Sequence, residues 1–381
     1  MAQTFKEYAQ AHYQELLDMT LELVQIPAPS GHEEKRAEWV KAWLEKYGAK
    51  GVYIDGAKNV IWPAFEGKSG KYIMVSAHTD TVFSFDVPLE VKEVDGRIYC
   101  PGIGDDTANL TILMMGMRYL LEHPPVDNEY GILFVATAAE EIGSLGILYF
   151  LKEFGADKLY QTYSFDANTI EMFADTVNIS NFKITVKGPG GHALGKYGTP
   201  NAIEELSRVL VMAADNCRKY IADNVLRFTT INAGTITGGE RTNIIAAHAE
   251  LMVELRSDRK HTFEVVKNYL MEAVEHYRSE QIEITVEAPR QDMYWNNVPD
   301  EVQEALAQEA LELCAQVGWK PSVIKACFDC RAPMNLGIPS LGIGLVDYVG
   351  PHKLDENMNP LALPAGLELV LLILQRLLER K

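Results

Sequence analysis

The sequence predicts an α/β fold with a mainly parallel sheet covered by helices on both faces, and a second α+β domain inserted into it. Between residues 72 and 166, short buried strands alternate with apolar helices, the order that produces parallel sheets. From residue 178 the order becomes β-α-β-β-α-β, and from residue 298 the helix-then-strand pattern resumes. We therefore expect a main domain formed by residues 1–177 and 298–381, with residues 178–297 inserted.

Length, composition and charge fit this expectation and exclude two classes of partner. A chain of 381 residues with 47% hydrophobic and 23% charged residues is typical of a folded protein with more than one domain. The formal net charge of −18 argues against nucleic acid as a partner, because phosphates bind basic surfaces. The same charge disfavours binding to an anionic membrane.

Cysteine usage and the chain ends predict a cytoplasmic protein. The five cysteines are scattered and odd in number, which is typical of a reducing compartment. Cys327 and Cys330 form an isolated C-x-x-C pair, which we interpret as structural thiols. The polar N-terminus lacks the layout of a secretory signal. The apolar run Leu369–Leu374 is far shorter than the ~20 residues of a membrane span, so we expect a buried C-terminal helix.

The first elements are predicted to be helical. Residues 5–25 have helix-favouring composition and an apolar stripe, and the prolines at positions 27 and 29 end the segment. Ser30 stands three residues before Glu33, the spacing of a capping box, and this predicts a helix through Tyr47.

The stretch 72–82, YIMVSAHTDTV, reads as a buried strand that ends in polar residues. Because side chains alternate along a strand, His78 and Asp80 are expected to point the same way. The carboxyl ends of strands are where open α/β sheets place their sites, and a carboxylate can orient a metal-binding histidine. Taken alone, a hydrogen-bonded histidine at a strand end is the simpler interpretation.

Four later segments carry similar residues at the ends of predicted strands or in adjoining loops. They are Asp105 and Asp106 before an apolar helix, Glu140 and Glu141 after a strand, Asp166 after the next strand, and His352 after a late strand. Each has an ordinary interpretation as a helix cap, a solvated charge pair, a turn residue or a loop histidine. Together they favour a metal site, because one sheet edge would gather them and cations would neutralise the carboxylates. Histidine and carboxylate ligands suit zinc, and two ions that share a carboxylate need about five protein ligands.

The inserted segment has the element order of a ferredoxin-like unit. A half-buried strand, FKITVKG, is followed by the glycine-rich loop GPGGHALGKYGTP and a helix from Pro200 to about Ala222. Two strands, a helix near 261–278 and a final strand complete the β-α-β-β-α-β series.

These motifs give the chain a family resemblance. It resembles the co-catalytic zinc metallopeptidases, which include peptidase T, carnosinase, carboxypeptidase G, acetylornithine deacetylase, succinyl-diaminopimelate desuccinylase and aminoacylase. The resemblance spans essentially the whole chain. It is carried by HTDTV, GIGDDTAN, AAEEIGS, GGHALGKYGTPNAI, and GGERTNII followed by ELRS, in the family's order and approximate spacing. Length and the stretch TAAEEIGS make the chain most similar to peptidase T-like members.

The resemblance implies a site with two zinc ions per chain, although cobalt and manganese accept similar ligands. One ion would be bound by His78 and Asp166 and the other by Glu141 and His352, with Asp105 bridging the two. His352 is assigned by its position near the C-terminus, since the sequence around this ligand is less distinctive.

The resemblance also assigns roles around the ligands. Asp80 would orient His78, and Glu140 would act as the general base that takes a proton from the attacking water and passes it to the leaving amine. The peptide bond between Asp105 and Asp106 would be cis.

In the inserted segment, the resemblance implies a lid and dimerisation domain, and hence a possible homodimer. His192 resembles a histidine that reaches a neighbouring active site and polarises the scissile carbonyl. Arg241 and Asn243 resemble lid residues that contact the substrate carboxylate or backbone. From the residues alone, all three would be ordinary loop residues.

Two details bear on the substrate. Many family members have Lys after the paired aspartates, where this chain has Thr107, which leaves local substrate preference open. Asp at position 166 accompanies peptidases in this family, and Glu accompanies deacylases. We therefore expect hydrolysis of a peptide bond in a short peptide, by a peptidase T-like aminopeptidase or a carboxypeptidase G-like enzyme. An N-acyl-amino-acid deacylase and a non-catalytic relative that uses the lid as an interaction module remain alternatives.

Overall fold

The computed structural model describes residues 3–288, 294–326 and 328–381. The chain divides into one unit of Met1–Asp175 with Asn296–Lys381 and a second unit of Thr176–Trp295. These boundaries fall two residues before those expected from the sequence. Cys327 lies outside the described residues, whereas Cys330 is a buried free thiol.

The helices follow the chain order. They are α1 (Phe5–Ala11), α2 (Tyr13–Val24), α3 (Glu34–Lys46), α4 (Asn109–Glu122), α5 (Leu145–Phe150), α6 (Ala202–Asp223), α7 (Lys260–Tyr277), α8 (Asp300–Gln316), α9 (Arg331–Asn335) and α10 (Leu363–Leu378).

The strands are numbered in the same way. They are β1 (Tyr53–Ile54), β2 (Val60–Phe65), β3 (Tyr72–His78), β4 (Lys92–Val94), β5 (Arg97–Tyr99), β6 (Gly131–Thr137), β7 (Leu159–Ser164), β8 (Glu171–Thr176), β9 (Asn178–Lys187), β10 (Gly191–His192), β11 (Thr230–Gly238), β12 (Ile244–Ile245), β13 (His248–Ser257), β14 (Glu283–Glu287), β15 (Ser322–Ala326), β16 (Ser340–Ile343), β17 (Tyr348–Val349) and β18 (Asn357–Met358).

The first unit is built on a sheet with the strand order β1-β2-β6-β3-β7-β16-β8-β15. Its four central strands, β6, β3, β7 and β16, pair in parallel, as the alternation of strands and helices predicts. Towards the edges, β2 pairs antiparallel with β1 and β6, and β8 pairs antiparallel with β16. The predicted α/β class with a mainly parallel sheet is confirmed.

Parallel pairing brings the ends of the central strands to one edge of the sheet. His78, the last residue of β3, pairs with Thr137, the last residue of β6. Ser76 of β3 pairs with Ser164, the last residue of β7. The polar residues that follow these strands therefore leave the sheet side by side.

A second, smaller sheet in the same unit has the strand order β17-β18-β5-β4, and its neighbouring strands pair antiparallel. Asn357 pairs with Tyr99, and Met358 pairs with Ile98. This pairing brings the segment that contains His352 beside the segment that leads to Asp105, although the two lie far apart in sequence.

The N-terminal helices differ from the prediction in two ways. The predicted single helix is divided at His12 into α1 and α2. The capping box at Ser30 was wrong, because α3 begins at Glu34 and has Glu33 as an N-cap without a side-chain bond. The Ser30 hydroxyl instead donates a hydrogen bond of 2.7 Å to Asp80.

The inserted unit contains an antiparallel sheet with the strand order β11-β13-β9-β14, together with α6 and α7. Without the two-residue strands β10 and β12, which form a separate pair, the strand and helix order along the chain is β-α-β-β-α-β, as in a ferredoxin-like fold. Its core packs apolar residues of both helices against the sheet, among them Phe182, Leu206, Leu251 and Phe263. The amphipathic pattern of this segment explains why the order could be predicted.

One helical stretch among the described residues, Pro360–Leu378, is long and apolar enough to cross a membrane, judged by length and composition alone. Half of that stretch is buried. Its helix α10 contacts α1, α4 and α8, and its leucines belong to the main core of the unit. This packing is that of a core helix and agrees with the buried C-terminal helix expected from the sequence.

Gly366 is the position of closest backbone packing on α10. A Cβ atom placed there would lie 1.9 Å from the backbone oxygen of Leu345. We expect Gly366→Ala to lower the free energy of unfolding by about 1–3 kcal/mol, because a well-packed core has no room for the added methyl group. The change in helix propensity acts in the opposite direction, by about 1 kcal/mol. The measurement is the thermal unfolding midpoint followed by circular dichroism.

Gly234→Ala provides the matched control, since a Cβ atom there would meet only the backbone oxygen of Met252 at 3.8 Å. Its unfolding midpoint should stay near that of the unchanged protein. Equal midpoints for the two variants would contradict the packing argument at Gly366.

Candidate metal centre

His78 stands at the centre of a first group of candidate ligands. Its Nε2 atom lies 2.9 Å from Oδ1 of Asp105 and 3.9 Å from Oδ1 of Asp166. The three candidate ligand atoms lie within 4.8 Å of one another. One histidine nitrogen and two carboxylate oxygens at this spacing can converge on a single divalent cation.

A second group lies next to the first and shares Asp105 with it. Nε2 of His352 is 3.2 Å from Oδ2 of Asp105 and 3.1 Å from Oε2 of Glu141. These candidate ligand atoms also lie within 4.8 Å of one another. Asp105 thus directs one carboxylate oxygen to each group, so all five residues that the sequence suggested as metal ligands are gathered here.

Asp80 lies behind His78 and accepts several hydrogen bonds. Nδ1 of His78 is 3.1 Å from the backbone oxygen of Asp80 and 3.3 Å from its Oδ1. The backbone N–H groups of Glu140 and Glu141 donate to the same carboxylate over 3.0 and 3.2 Å. One buried side chain therefore connects the end of β3 to the loop after β6.

Asp106 has a different environment from its neighbour Asp105. It accepts hydrogen bonds of 2.8 Å from the backbone N–H of His78 and from the side-chain amide of Asn109. Asn109 in turn accepts a bond of 2.8 Å from the backbone N–H of Leu345. The peptide bond between Asp105 and Asp106 is cis, as the resemblance implied.

Burial raises the pKa of most carboxyl groups around the two candidate groups. Burial, followed by the charges of Asp166 and Asp329, raises the pKa of Glu140 well above its ordinary value. Burial and the neighbouring carboxylates raise the pKa of Asp166 to about 7, against the opposing effect of His78. Burial also raises the pKa of Glu141. Each shift reflects the cost of holding another negative charge in this region.

The histidines and Asp105 shift in the opposite sense. Burial by itself lowers the pKa of His78, but the charge of Asp106 and the hydrogen bonds to Asp105 and Asp80 outweigh it and raise that pKa well above the ordinary value. The hydrogen bond to Asp105 raises the pKa of His352 to about 9. Burial opposes ionisation of Asp105, but its bonds to His352 and His78 hold the pKa of its carboxyl below the ordinary value.

The residues present fit divalent cations. Oε1 of Glu141, a residue of the second group, is buried and has no hydrogen-bond partner, so it is an acceptor left unused. The site combines carboxylates with imidazoles, and the raised pKa values of Glu140, Glu141 and Asp166 reflect burial together with neighbouring negative charge. Histidine nitrogens and carboxylate oxygens suit zinc, cobalt and manganese alike.

Asp329 is a residue near this site that the sequence did not suggest. It is 1% exposed, and burial raises the pKa of its carboxyl against the opposing effect of hydrogen bonds with Thr137 and Ser144. Its charge contributes to the raised pKa of Glu140 and of Asp166. The signal available was an acidic residue in an otherwise apolar stretch, CFDC, just before a short helix.

Thr107 lies in a buried network. Its hydroxyl donates a 2.6 Å bond to the backbone oxygen of Gly102 and accepts a 3.2 Å bond from Arg36. The Arg36 side chain is 1% exposed and also donates to the backbone oxygens of Ile26 and Thr79. Thr107 therefore connects the turn before Asp105 to the buried guanidinium group of Arg36.

The three predicted substrate contacts lie in the inserted unit. His192 is exposed on β10, which pairs with β12. Asn243 is exposed, and its backbone oxygen accepts a 3.0 Å bond from Ala193, while that of Arg241 accepts a 3.1 Å bond from Ile244. An open cavity of about 620 Å³ beside this pair of strands is lined by the glycine-rich loop and by residues 244–248.

Comparison with known proteins supplies the family. Residues 74–376 match the model of Peptidase family M20/M25/M40. A succinyl-diaminopimelate desuccinylase of Legionella pneumophila is 21% identical over 282 residues, which is 69% of this chain and 74% of the relative.

Two solved structures share the fold over nearly the whole chain. The aminopeptidase PepT of Bacillus cereus superposes with a TM-score of 0.77 at 22% identity and covers 96% of this chain and 98% of its own. A tripeptidase of Staphylococcus aureus superposes with a TM-score of 0.75 at 24% identity and covers 97% of this chain and 99% of its own. Since the family model matches well over half of the sequence, the chain belongs to peptidase family M20/M25/M40 and is a hydrolase of the metallopeptidase and amidohydrolase type.

Proposed function

We propose that this protein hydrolyses a peptide bond in short peptides, as a peptidase T-like aminopeptidase that depends on two divalent cations. The observation that carries the proposal is the pair of ligand groups that share Asp105. Glu140 directly precedes Glu141, a member of the second group, in the sequence. The resemblance of the fold to an aminopeptidase and a tripeptidase supports the substrate class.

His78 and Asp166 would hold one cation, Glu141 and His352 the other, and Asp105 both. When bound, zinc or a similar ion polarises the scissile carbonyl and makes a water molecule easier to deprotonate. Asp80 fixes the ring of His78 through Nδ1, which leaves Nε2 as the nitrogen that is free to act as a ligand.

Glu140 would serve as general base. Its backbone is held by Asp80, and Oε1 lies 3.4 Å from the hydroxyl of Ser144. A carboxylate in a buried position is a stronger base than one in water, so it can accept a proton from the attacking water. The same carboxyl then donates this proton to the departing amine nitrogen, and the products are a free amine and a carboxylate.

The inserted unit would contribute the remaining substrate contacts. His192 would donate a hydrogen bond to the scissile carbonyl in a neighbouring active site, while Arg241 and Asn243 would bind the substrate carboxylate or backbone. From the same family resemblance we propose that the inserted unit acts as a lid and dimerisation domain.

A cytoplasmic location is consistent with the free, buried cysteines at positions 100, 217, 314 and 330.

A second candidate is an N-acyl-amino-acid deacylase. It is favoured by the sequence relationship to a succinyl-diaminopimelate desuccinylase. A carboxypeptidase G-like activity is a variant of the main proposal. Asp at position 166 supports the peptidases, because in the resembling family Asp at this position accompanies peptidases and Glu accompanies deacylases.

Glu140→Gln tests the general base. The amide cannot accept the proton, so we expect kcat to fall by at least ~100-fold, while divalent cations still bind, since Glu140 is not a proposed ligand. Activity is measured on di- and tripeptides, and metal content by elemental analysis. Glu153→Gln, an equivalent change at a half-exposed glutamate, should leave both quantities unchanged. Full activity of Glu140→Gln would exclude this residue as the base.

Metal stoichiometry tests the paired groups. We expect about two equivalents of zinc per chain and loss of activity on chelation, with recovery when metal is returned. Because Asp105 belongs to both groups, Asp105→Ala should weaken both equivalents, whereas His352→Ala should weaken one. Calorimetric titration of the metal-free protein measures this. A single equivalent, or the same loss for both variants, would contradict the shared ligand.

A substrate panel separates the two candidate functions. We expect kcat/KM for free di- and tripeptides to exceed that for N-acetyl and N-succinyl amino acids by ~100-fold or more. Blocking the N-terminus of the same peptides should abolish turnover if the enzyme is an aminopeptidase. Faster hydrolysis of the acylated amino acids would instead establish the deacylase.

A further inference from the structure

Glu356 is a buried carboxylate that lies near the candidate metal groups without belonging to either. It is 0% exposed. Its Oε2 accepts a 2.8 Å hydrogen bond from the backbone N–H of Gly102, and its Oε1 accepts bonds of 2.8 and 2.9 Å from the N–H groups of Gly104 and Asp105. Three main-chain donors of one turn are thus satisfied by a single side chain.

This turn determines where Asp105 lies. Gly102 has a left-handed backbone with φ of 75°, and Asp105 itself has φ and ψ of −101° and 95°, outside the helical region. Because these conformations are not helical, the backbone N–H groups of the turn cannot all bond to carbonyls as they would in a regular helix. They need an acceptor from another part of the chain. The carboxylate of Glu356 supplies it, and one of its three donors is the N–H of the ligand residue.

Glu356 is also connected to the segment that carries His352. Residues 350–356 form the turn between β17 and β18, in which the N–H of Glu356 donates to the backbone oxygen of Lys353 over 3.1 Å. The backbone oxygen of Glu356 accepts a 3.1 Å bond from Cys100. Asn357, the next residue, pairs with Tyr99. The side chain and the backbone of Glu356 therefore bind the segment 100–105 at several points.

We propose that Glu356 is a positioning residue for the metal centre, which fixes the carboxylate of Asp105 relative to the imidazole of His352. Both residues belong to the second ligand group, and the distance between their ligand atoms is 3.2 Å. The two segments lie 254 residues apart in sequence between Gly102 and Glu356, so no local constraint sets that distance. This inference rests on the proposed function in one respect, namely that the second group binds a cation.

Replacement by glutamine tests the proposal with little change of shape. A carboxylate has two acceptor oxygens, whereas a glutamine amide has one and presents N–H groups on the other side. At least one of the N–H groups of Gly102, Gly104 and Asp105 would then face another donor. The turn should shift, and the second group should lose its geometry before the first, since two of its members, Asp105 and His352, lie on the segments that Glu356 joins, whereas only Asp105 of the first group does.

The experiment titrates the metal-free, full-length protein with Co²⁺, using calorimetry for affinity and the visible absorption spectrum for ligand geometry. We expect Glu356→Gln to bind one equivalent about 10–100-fold more weakly, the range typical of residues that orient metal ligands. Its Co²⁺ spectrum at one equivalent should match that of the unchanged protein and differ at two. Glu356→Asp, which keeps both acceptors but is shorter, provides a second variant should the first fail to fold.

Asp355→Asn is the matched control, because it removes the same charge from the neighbouring, exposed residue of the same turn. Its affinities and spectrum should equal those of the unchanged protein. Two wild-type affinities and an unaltered spectrum in the folded Glu356→Gln protein would overturn the positioning role. Equal weakening of both equivalents would also overturn it, because the effect would then not be specific to the pair Asp105 and His352. If the unchanged protein bound no divalent cation, the proposed function would fail together with this inference.

Discussion

The structure depends on the burial of several negative charges around one histidine. Asp105, Asp166, Glu140, Glu141 and Asp329 gather near His78, and among the candidate ligands only His78 and His352 can carry positive charge. Removing carboxylates from water without a compensating positive charge or hydrogen bond is unfavourable. The raised pKa values of these carboxyl groups reflect that unfavourable free energy. A cluster of this kind reduces the stability of the folded chain unless cations bind to it.

The fold holds the acidic cluster in place mainly through the backbone of the strand ends and the loops that follow them. The parallel register of β3, β6 and β7 aligns the strand ends, and Asp80 then accepts the N–H groups of Glu140 and Glu141. Because the ligands extend from rigid strand ends and short loops, their spacing costs little conformational entropy when a cation binds. The same logic holds for the turn that contains Asp105, which is held by main-chain hydrogen bonds.

The sequence predicted the parts of this arrangement that depend on periodicity. Apolar runs located β3, β6 and β7, and the polar residues after them identified the edge where the candidate ligands lie. Alternation identified the order of elements in the inserted unit. These patterns are local, and the predictions drawn from them hold because the apolar faces that the patterns predict are the faces buried by tertiary packing.

Features decided by long-range competition could not be predicted in this way. In a capping box the Ser30 oxygen would accept from a backbone N–H group in the first turn of α3, yet the hydroxyl instead donates to Asp80, fifty residues away. Asp329 becomes important only because α9 and the loop before it bring the carboxylate towards the strand ends. His352 is brought to the site by the pairing of β5 with β18 in the small sheet. Strands this short give no sequence pattern from which that pairing could be predicted.

The neighbouring aspartates 105 and 106 show why residue type alone does not assign a role. Their side chains are identical and adjacent, but burial and nearby carboxylates raise the pKa of Asp106 well above its ordinary value, whereas bonds to His352 and His78 lower that of Asp105. Asp106 contacts the backbone of His78 and the amide of Asn109, so its oxygens are already occupied. Asp105 contacts imidazole nitrogens, which a cation can replace as partners. The environment, supplied by β3, α4 and the segment around His352, makes one carboxylate a candidate ligand and the other a support for the strand that carries His78.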